Sequence, residues 1–221
     1  VDGNLQFGDV AVFVNEQGEN TILDIAPRVD DLDAEIIEEI LIRHEASGIR
    51  ILAAPQRPEL AEKVSSDQFV KVLQFMQRIY SYVVVDTSSI LTDVILSAID
   101  LSDVVVIVTT QEIPAIKNSR LILDLLSTMG ISKDRIIFAM NRFDKRISIT
   151  PERVGGNLKH EISAVIPLDE KVAITAVNRG IPFMLDNKSQ LIGRGIFSLA
   201  ETIRTRVIAL ETDTQAPAAR R

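Results

Sequence analysis

Short runs of consecutive apolar residues alternate along the chain with longer segments whose apolar residues recur at helical spacing. Consecutive apolar residues without alternation occupy 82–85, 104–108 and 136–140, which predicts strands over 82–86, 104–108 and 135–140 that are covered on both faces. Between and before them, residues 67–80 and 114–129 carry one apolar face and predict helices. Because parallel strands need helical crossovers, this order predicts an α/β fold with a three-layer, doubly wound, mostly parallel sheet.

Weaker patterns complete the alternation and set the predicted domain limits. We expect residues 1–210 to form one domain, and the small polar residues 211–221 to be a disordered tail. The remaining predicted elements are helical turns in 10–14 and 21–25, helices over 32–45, 91–99, a segment after Pro151, 170–177 and 195–210, and strands over 49–53 and 164–166.

Asp86 ends the apolar run 82–86 and is its only carboxylate. Ligands of open α/β sheets bind beyond the carboxyl ends of the strands, so Asp86 is a candidate ligand for magnesium beside a nucleotide. The alternative is that Asp86 and the hydroxyls of residues 87–89 only begin the turn into the next helix. The run alone leaves both interpretations open.

Two further predicted strands also end on polar residues, at Thr110 and at Asn141-Arg142. An asparagine amide offers both a donor and an acceptor, as the edge of a purine base requires. The same asparagine is also common where a loop begins. If the strands are parallel, these residues lie at the same edge as Asp86, which is the arrangement of a nucleotide site.

Composition and charge limit the alternatives. The 221 residues are 46% hydrophobic and 25% charged, and the net charge of −7 gives no general attraction to nucleic acid. No cysteine is present, which excludes disulfides and thiolate metal sites. No apolar run approaches the roughly 20 residues of a membrane span. We expect a soluble intracellular protein that does not bind nucleic acid.

Short motifs in a fixed order carry a family resemblance from Val1 to about Leu210. They are residues 1–9, 51–55, 82–86, 106–110 with Pro114, 141–142, 166–167 and 178–182. Their order and spacing resemble the deviant P-loop ATPases of the ParA and MinD superfamily, within the SIMIBI class. The branch that the chain resembles most is the one found in type IVb (tight-adherence, Flp) pilus assembly and localisation.

The resemblance implies ATP and Mg²⁺ as cofactors and assigns roles to residues. Asp2 matches an acidic residue beside the metal and the attacking water, Asp86 matches the carboxylate that holds Mg²⁺ through water, and Asn141 matches an adenine contact. Thr110 and Pro114 match positions where a family loop passes near the nucleotide and the dimer interface, and Arg142 and Pro167 are further candidate cofactor contacts. The resemblance also implies a homodimer, partners in pilus assembly or polar localisation, and a bacterial cytoplasmic protein at the cell pole or inner-membrane face, with peripheral membrane association through partners.

The chain departs from the family in two places that bear on catalysis. No Gly-x-x-x-x-Gly-Lys-Ser/Thr loop occurs in the 221 residues. In the family that loop follows the first strand, so we expect the first strand, the loop and the first helix upstream of Val1. Asn4 replaces a family aspartate that helps position the water, and an amide cannot accept a proton as a carboxylate does. With Asp2 and Asn4 as the catalytic candidates, hydrolysis should be slow.

Three functional hypotheses remain at this point. The first is an ATP-binding ATPase whose nucleotide state controls dimerisation and the recruitment of partners. The second is an inactive scaffold of the same fold, which acts in localisation without ATP turnover. The third, another nucleotide-binding α/β enzyme, is disfavoured because no Gly-x-Gly-x-x-Gly turn follows a strand.

Overall fold

The computed structural model describes residues 1–186 and 190–215, which form two compact units. The first unit comprises Val1–Leu101 and Ala173–Leu185, and the second comprises Ser102–Val172 and the described residues from Asp186 onward. The single domain expected over residues 1–210 stays a prediction.

Nine helices and five strands occur among the described residues. The helices are α1 Val10–Phe13, α2 Ala34–Ile40, α3 Ser66–Ile79, α4 Asp93–Leu101, α5 Ile113–Thr128, α6 Pro151–Leu158, α7 Glu170–Arg179, α8 Phe183–Asp186 and α9 Leu191–Gln215. The strands are β1 Ile42–Arg43, β2 Arg50–Ile51, β3 Val105–Thr109, β4 Ile136–Phe143 and β5 Ala164–Pro167. Short 3-10 helices lie at Ile22–Asp24, Ala26–Asp31, Pro58–Lys63 and Lys133–Arg135.

Helix α3 forms as its sequence predicts, and it carries much of the core of the first unit. Ser65 and Gln68 make a reciprocal capping box, in which each side chain accepts the backbone N–H of the other. The buried face of α3 consists of Phe69, Val72, Leu73 and Met76. Ile79, predicted on the same stripe, is partly exposed at the end of the helix.

The helix predicted over 32–45 is wrong in its second half. Helix α2 ends at Ile40, and the chain then turns into an antiparallel hairpin in which β1 pairs with β2. Gly48 closes the hairpin turn with φ +76°, a conformation that glycine adopts without strain. Ile42 pairs with buried Ile51 in this hairpin, and Leu41, which precedes β1, is also buried, so the apolar residues after α2 pack without extending the helix.

The strand predicted over residues 82–86 is also not regular. Its backbone pairs with Val1–Gly3 through a single parallel bridge between Asp2 and Asp86. The expected coverage of both faces is not found in the first unit, because the Val84 side chain is 76% exposed. An apolar run favours extended backbone, but a regular ladder also requires a partner along its length.

The parallel sheet lies in the second unit and confirms the predicted fold class. Strands β3, β4 and β5 are parallel and neighbour one another in that order. The β3–β4 register runs from Val105 opposite Ile136 to Thr109 opposite Met140. Central strand β4 is buried over 136–140, as a fully apolar strand between two neighbours should be.

Helices of the second unit follow the predicted pattern with shifted ends. Pro114 lies in the first turn of α5, and Gly130, with φ +79°, follows its last turn. Helix α9 is longer at both ends than the predicted 195–210, so residues 211–215 of the predicted tail are helical, and 216–221 lie outside the described residues. Among the described helices, none is both long enough and apolar enough to cross a membrane.

Candidate functional site

The backbone of Val1–Gly3 fixes the position of Asp86. The Asp86 N–H donates to the Val1 carbonyl at 2.9 Å, and the Gly3 N–H donates to the Asp86 carbonyl at 2.7 Å. On the other side, the Asp2 N–H donates to the Leu52 carbonyl at 3.0 Å. Asp2 and Asp86 are therefore neighbours in a parallel backbone pairing, and their predicted roles in a metal site stay predictions.

The two carboxylates differ in their environments. Asp86 is exposed, whereas Asp2 is 2% exposed. Burial raises the pKa of Asp2, and the like charge of Asp86 adds to that shift, while hydrogen bonds from two backbone N–H groups oppose it. Of the pair, Asp86 is the carboxylate that solvent and a ligand reach.

Asp2 organises the loop that follows it. Its Oδ1 accepts the Asn4 N–H at 3.2 Å, and its Oδ2 accepts the Val10 N–H at 3.1 Å. Gly8 passes so close that a Cβ there would lie 2.4 Å from Asp2 Oδ2. Both carboxylate oxygens thus contact the residues 3–10 loop, and a glycine is required where that loop crosses the carboxylate.

The Asn4 side chain closes a turn within the same loop. Its Nδ2 donates to the Phe7 carbonyl at 2.7 Å, and its Oδ1 accepts the Phe7 N–H at 3.4 Å. Both ends of the amide are therefore used by its own backbone. The predicted catalytic role of Asn4 stays a prediction, and these contacts favour a structural role for its side chain.

The carboxylates fit a magnesium ion that takes most of its ligands from elsewhere. Within residues 1–186 and 190–215, no three His, Cys, Asp or Glu side chains are grouped so that they could hold a metal ion. Magnesium commonly keeps several waters and binds one or two carboxylates together with substrate phosphates. Exposed Asp86 suits that mode, and a cage made of protein ligands is not formed.

In the second unit, the polar residues at the strand ends lie around the end of β4. The register of β4 and β5 shifts between Met140 and Phe143, so Asn141 and Arg142 occupy a bulge. After the bulge, Phe143 pairs with Pro167 of β5. The structure therefore places predicted residues Asn141, Arg142 and Pro167 at one carboxyl edge of the parallel sheet.

The bulge has an unusual backbone conformation. Arg142 has φ +54°, in the left-handed region that non-glycine residues rarely occupy. Asn141 Oδ1 accepts the Arg142 N–H at 2.8 Å, and the Arg142 guanidinium contacts Glu170 at 3.2 Å across exposed surface. Unfavourable backbone of this kind clusters at functional sites, which makes the bulge a candidate ligand contact.

Thr110 is committed to the loop that enters α5. Its hydroxyl donates to Glu112 Oε2 at 2.8 Å. The predicted contact of Thr110 with the nucleotide or a dimer partner stays a prediction.

Sequence reasoning missed Gln111, which lies between Thr110 and Glu112. This glutamine is buried and hydrogen-bonded to two residues of the loop after β4. One signal was present: an uncharged polar side chain between the end of an apolar strand and the proline-marked start of a helix. Its distant partners carry no pattern that reveals the contact.

A charged pair stiffens the loop after β4. Arg146 Nε donates to both oxygens of Asp144 at 2.9 Å. These hydrogen bonds lower the pKa of the Asp144 carboxyl to about 2.

The predicted site residues fall into two sets. Asp2, Asn4 and Asp86 lie in the first unit, and the second unit contains Thr110, Asn141, Arg142 and Pro167.

Comparisons with known proteins agree with this fold. No family model matches the chain. The septum site-determining protein MinD of Thermotoga maritima is 28% identical over 181 residues, which is 80% of this chain and 66% of that protein. The matches to putative MinD proteins of Emiliania huxleyi and Guillardia theta cover 54% and 59% of those proteins. The chain thus spans less than two thirds of the length of the curated relatives it matches.

Solved structures resemble the chain over nearly its whole length. A ParA family ATPase from Chlorobium tepidum has a TM-score of 0.83 at 20% identity, covering 90% of this chain and 83% of that one. MinD of Pyrococcus horikoshii complexed with Mg-ADP has a TM-score of 0.77 at 21% identity, covering 91% and 81%. MinD in the MinC:MinD complex of Aquifex aeolicus has a TM-score of 0.75 at 20% identity, covering 92% and 81%.

The chain therefore has the α/β fold of the ParA and MinD P-loop NTPases, with a parallel sheet and weak sequence similarity to MinD.

Proposed function

We propose that the protein is an ATP-binding, ATPase-like protein of the ParA/MinD type that requires Mg²⁺. The observation that carries this proposal is the Asp2–Asp86 pairing, which holds exposed Asp86 at the end of an extended segment beside a buried carboxylate. A MinD of the same fold has been solved with Mg-ADP, which supports the choice of nucleotide and metal.

The candidate residues have different roles in nucleotide binding in this proposal. Asp86 would hold Mg²⁺ through water with its exposed carboxylate, and the metal would supply positive charge against the nucleotide phosphates. Asp2 holds the residues 3–10 loop in place through the hydrogen bonds to Asn4 and Val10. Asn141 contacts the adenine edge, with Arg142, Thr110 and Pro167 near the nucleotide.

Calorimetry of the full-length protein tests the proposal. ATP should bind in the presence of Mg²⁺, and Asp86→Asn should weaken that binding by about tenfold or more, as loss of a charge-assisted contact does. Asp124→Asn removes the same charge from an exposed helical position and serves as the matched control. Equal ATP affinity in the wild type and in the Asp86 variant would contradict the proposed role of Asp86.

A second candidate, a scaffold of the same fold that does not turn over ATP, is favoured by one observation. Asn4 has no carboxylate to accept a proton, and both ends of its amide bond the Phe7 backbone. Steady-state phosphate release separates the candidates. The scaffold requires that no phosphate be released above background in the presence of ATP and Mg²⁺, and Asn4→Asp, compared with Asn157→Asp as a control, tests whether a carboxylate restores turnover.

The proposed biological role is recruitment of partners in pilus assembly or polar localisation in the bacterial cytoplasm. Nucleotide-dependent homodimerisation would control that recruitment, with the membrane reached through partners. The MinD of Aquifex aeolicus forms a complex with MinC, which supports a partner-binding role for this fold. Sedimentation velocity with ATP·Mg²⁺ and with ADP should give a dimer in the first condition only, and the same mass in both would contradict the dimer switch.

A further inference from the structure

Gln111 is a buried side chain that none of the roles proposed above explains. It is 4% exposed and lies two residues after the end of β3 and two residues before α5 begins. Its Nε2 donates to the Ile149 carbonyl at 2.6 Å, and its Oε1 accepts the Asp144 N–H at 2.7 Å. Both ends of the amide are therefore bonded to a loop more than 30 positions away in the sequence.

The two bonds hold the loop at both of its ends. Asp144 is the first residue after β4, and Ile149 lies just before Thr150, which caps α6. Within the loop, Arg146 is bonded to Asp144. Gln111, at the carboxyl end of β3, is thus hydrogen-bonded near both ends of the loop that connects β4 to α6.

The residue that Gln111 fixes is two positions from the strained part of β4. Arg142 has its left-handed backbone there, and Asn141 bonds the Arg142 N–H. A residue in an unfavourable backbone conformation keeps that conformation only where contacts with the surrounding structure hold it. The bond to the Asp144 N–H supplies such a restraint immediately after the bulge.

We propose that Gln111 is a positioning residue for the base-contacting segment Asn141–Arg142. This inference rests on the proposed function, in which that segment contacts adenine. Gln111 does not contact the nucleotide; it holds the loop so that the Asn141 amide is presented in one orientation. The ligand that this segment would contact is a nucleotide, with its base at the carboxyl end of β4.

An amide is required at this position because the two partners have opposite character. The Asp144 N–H needs an acceptor, and the Ile149 carbonyl needs a donor. An ionised carboxylate supplies acceptors only and leaves its second oxygen against the Ile149 carbonyl. A protonated carboxyl supplies one donor and one acceptor, so Gln111→Glu should regain the native bonds when it is protonated.

The charged groups around position 111 allow the recovery of Gln111→Glu at acidic pH to be assigned to the introduced carboxyl. Glu112 is its neighbour in sequence, bonded to Thr110, and Asp144 and Arg146 lie in the contacted loop. Because the Asp144 pKa is about 2, Asp144 and Arg146 keep their charges between neutral and mildly acidic pH. Glu112 is present in both wild type and variant, so the difference between the two reports the introduced carboxyl.

The test uses the full-length protein and measures two properties: amide hydrogen exchange in residues 144–149 and affinity for ATP·Mg²⁺. At neutral pH, Gln111→Glu should weaken ATP binding about tenfold, as loss of a buried hydrogen bond does, and speed exchange in the loop. At mildly acidic pH both properties should return toward wild type. Gln111→Leu, which can make neither bond, should be impaired at both pH values.

Gln74→Glu on the exposed face of α3 is the matched control and should change neither property. Failure of the wild type to bind ATP would count against the proposed function, and the exchange data would still test the Gln111 bonds. Unchanged exchange in both Gln111 variants would overturn the inference. Faster exchange with unchanged ATP affinity would also overturn it, because the loop would then not position the base contact. If Gln111→Leu does not fold, the two pH values of Gln111→Glu decide the matter.

Discussion

Residues 82–86 and β3 are both rich in valine and each ends on a polar residue, Asp86 and Thr109, yet their backbones are paired to different extents. Strand β3 is in register with β4 from Val105 to Thr109. Residues 82–86 are joined to Val1–Gly3 through one bridge and a few flanking hydrogen bonds. The difference shows that an apolar run favours extended backbone, while the partner strand decides whether a regular ladder forms.

The two regions also fix their polar residues by different means. In the first unit the backbone does this, since Asp86 is held by main-chain bonds to Val1 and Gly3. In the second unit a buried side chain does it, since Gln111 holds the loop that follows Asn141 and Arg142. A site held by backbone should tolerate changes of side chain that a site held by a side chain does not.

The largest expected effect tests the core of each unit. Phe69 on α3 and Phe138 on β4 are both fully buried. Replacing either by alanine should lower the free energy of unfolding by about 3–5 kcal/mol, because each leaves a cavity. Exposed Phe197 is the control, and its alanine variant should stay within about 0.5 kcal/mol of wild type in urea denaturation. A loss near the control value for either buried phenylalanine would contradict the packing of that unit.

The next effect separates a crowded glycine from an open one. A Cβ on Gly8 would lie 2.4 Å from Asp2 Oδ2 and 2.5 Å from Ala54 Cβ. Gly8→Ala should therefore cost about 1–3 kcal/mol through overpacking. Gly156→Ala meets nothing within 4 Å in helix α6 and should stabilise by about 0.5–1 kcal/mol. Thermal melts of both variants measure the signs, and a Gly8→Ala variant at least as stable as wild type would contradict the packing of the residues 3–10 loop on Asp2.

A smaller effect concerns the cluster that ties the end of α3 to the hairpin. The Tyr80 hydroxyl bonds Glu38, which also accepts Arg50 Nε at 2.9 Å. Burial and this carboxylate raise the pKa of Tyr80 to about 12. Tyr80→Phe should cost about 0.5–1.5 kcal/mol in urea denaturation, as a lost hydrogen bond does. Tyr82→Phe, at an exposed ring, should cost nothing measurable, and equal losses would contradict the cluster.

The smallest expected effect is a difference in sign between two aspartates. Burial raises the pKa of Asp2 in the folded state above its usual value of 3.8, so just above pH 3.8 the folded state keeps a proton that the unfolded state has lost. The contribution of Asp2 to the free energy of unfolding therefore falls as the pH rises from 3.8 through the folded-state pKa. Arg146 lowers the pKa of Asp144 to about 2, so its contribution is present above 3.8 and is lost as pH falls toward 2.

Unfolding free energies of wild type, Asp2→Asn and Asp144→Asn measured against pH test this contrast. The advantage of wild type over the Asp2 variant should grow as pH is lowered toward the acidic window. The advantage over the Asp144 variant should shrink in acid. Slopes of the same sign for both variants would contradict the environments described for the two carboxylates.

The sequence predicted what local pattern determines. The stripe of α3 and the proline and glycine at the ends of α5 carried their own signals, and the structure has both helices where they were expected. The consecutive apolar residues of β3 and β4 predicted a parallel sheet, which forms. The family resemblance assigned Asp2 and Asp86 to one metal site, and that assignment stays a prediction, although the structure pairs the two residues through their backbone.

The sequence did not predict features that depend on distant contacts. The hairpin after α2 depends on pairing Ile42 with Ile51, and its residues continue the helical spacing of α2. The Gln111 contacts join residues more than 30 positions apart. The β4 bulge at Asn141 arises from its register with β5, which no local pattern records.

A crystal structure of the full-length protein with Mg²⁺ and a non-hydrolysable ATP analogue tests whether Asp86 is linked to a metal that carries a nucleotide. We expect Mg²⁺ at about 4 Å from an Asp86 carboxylate oxygen, which is the distance across one bridging water. Mg²⁺ and the phosphates bound away from Asp86, or a protein that takes up no nucleotide at saturating analogue, would contradict it.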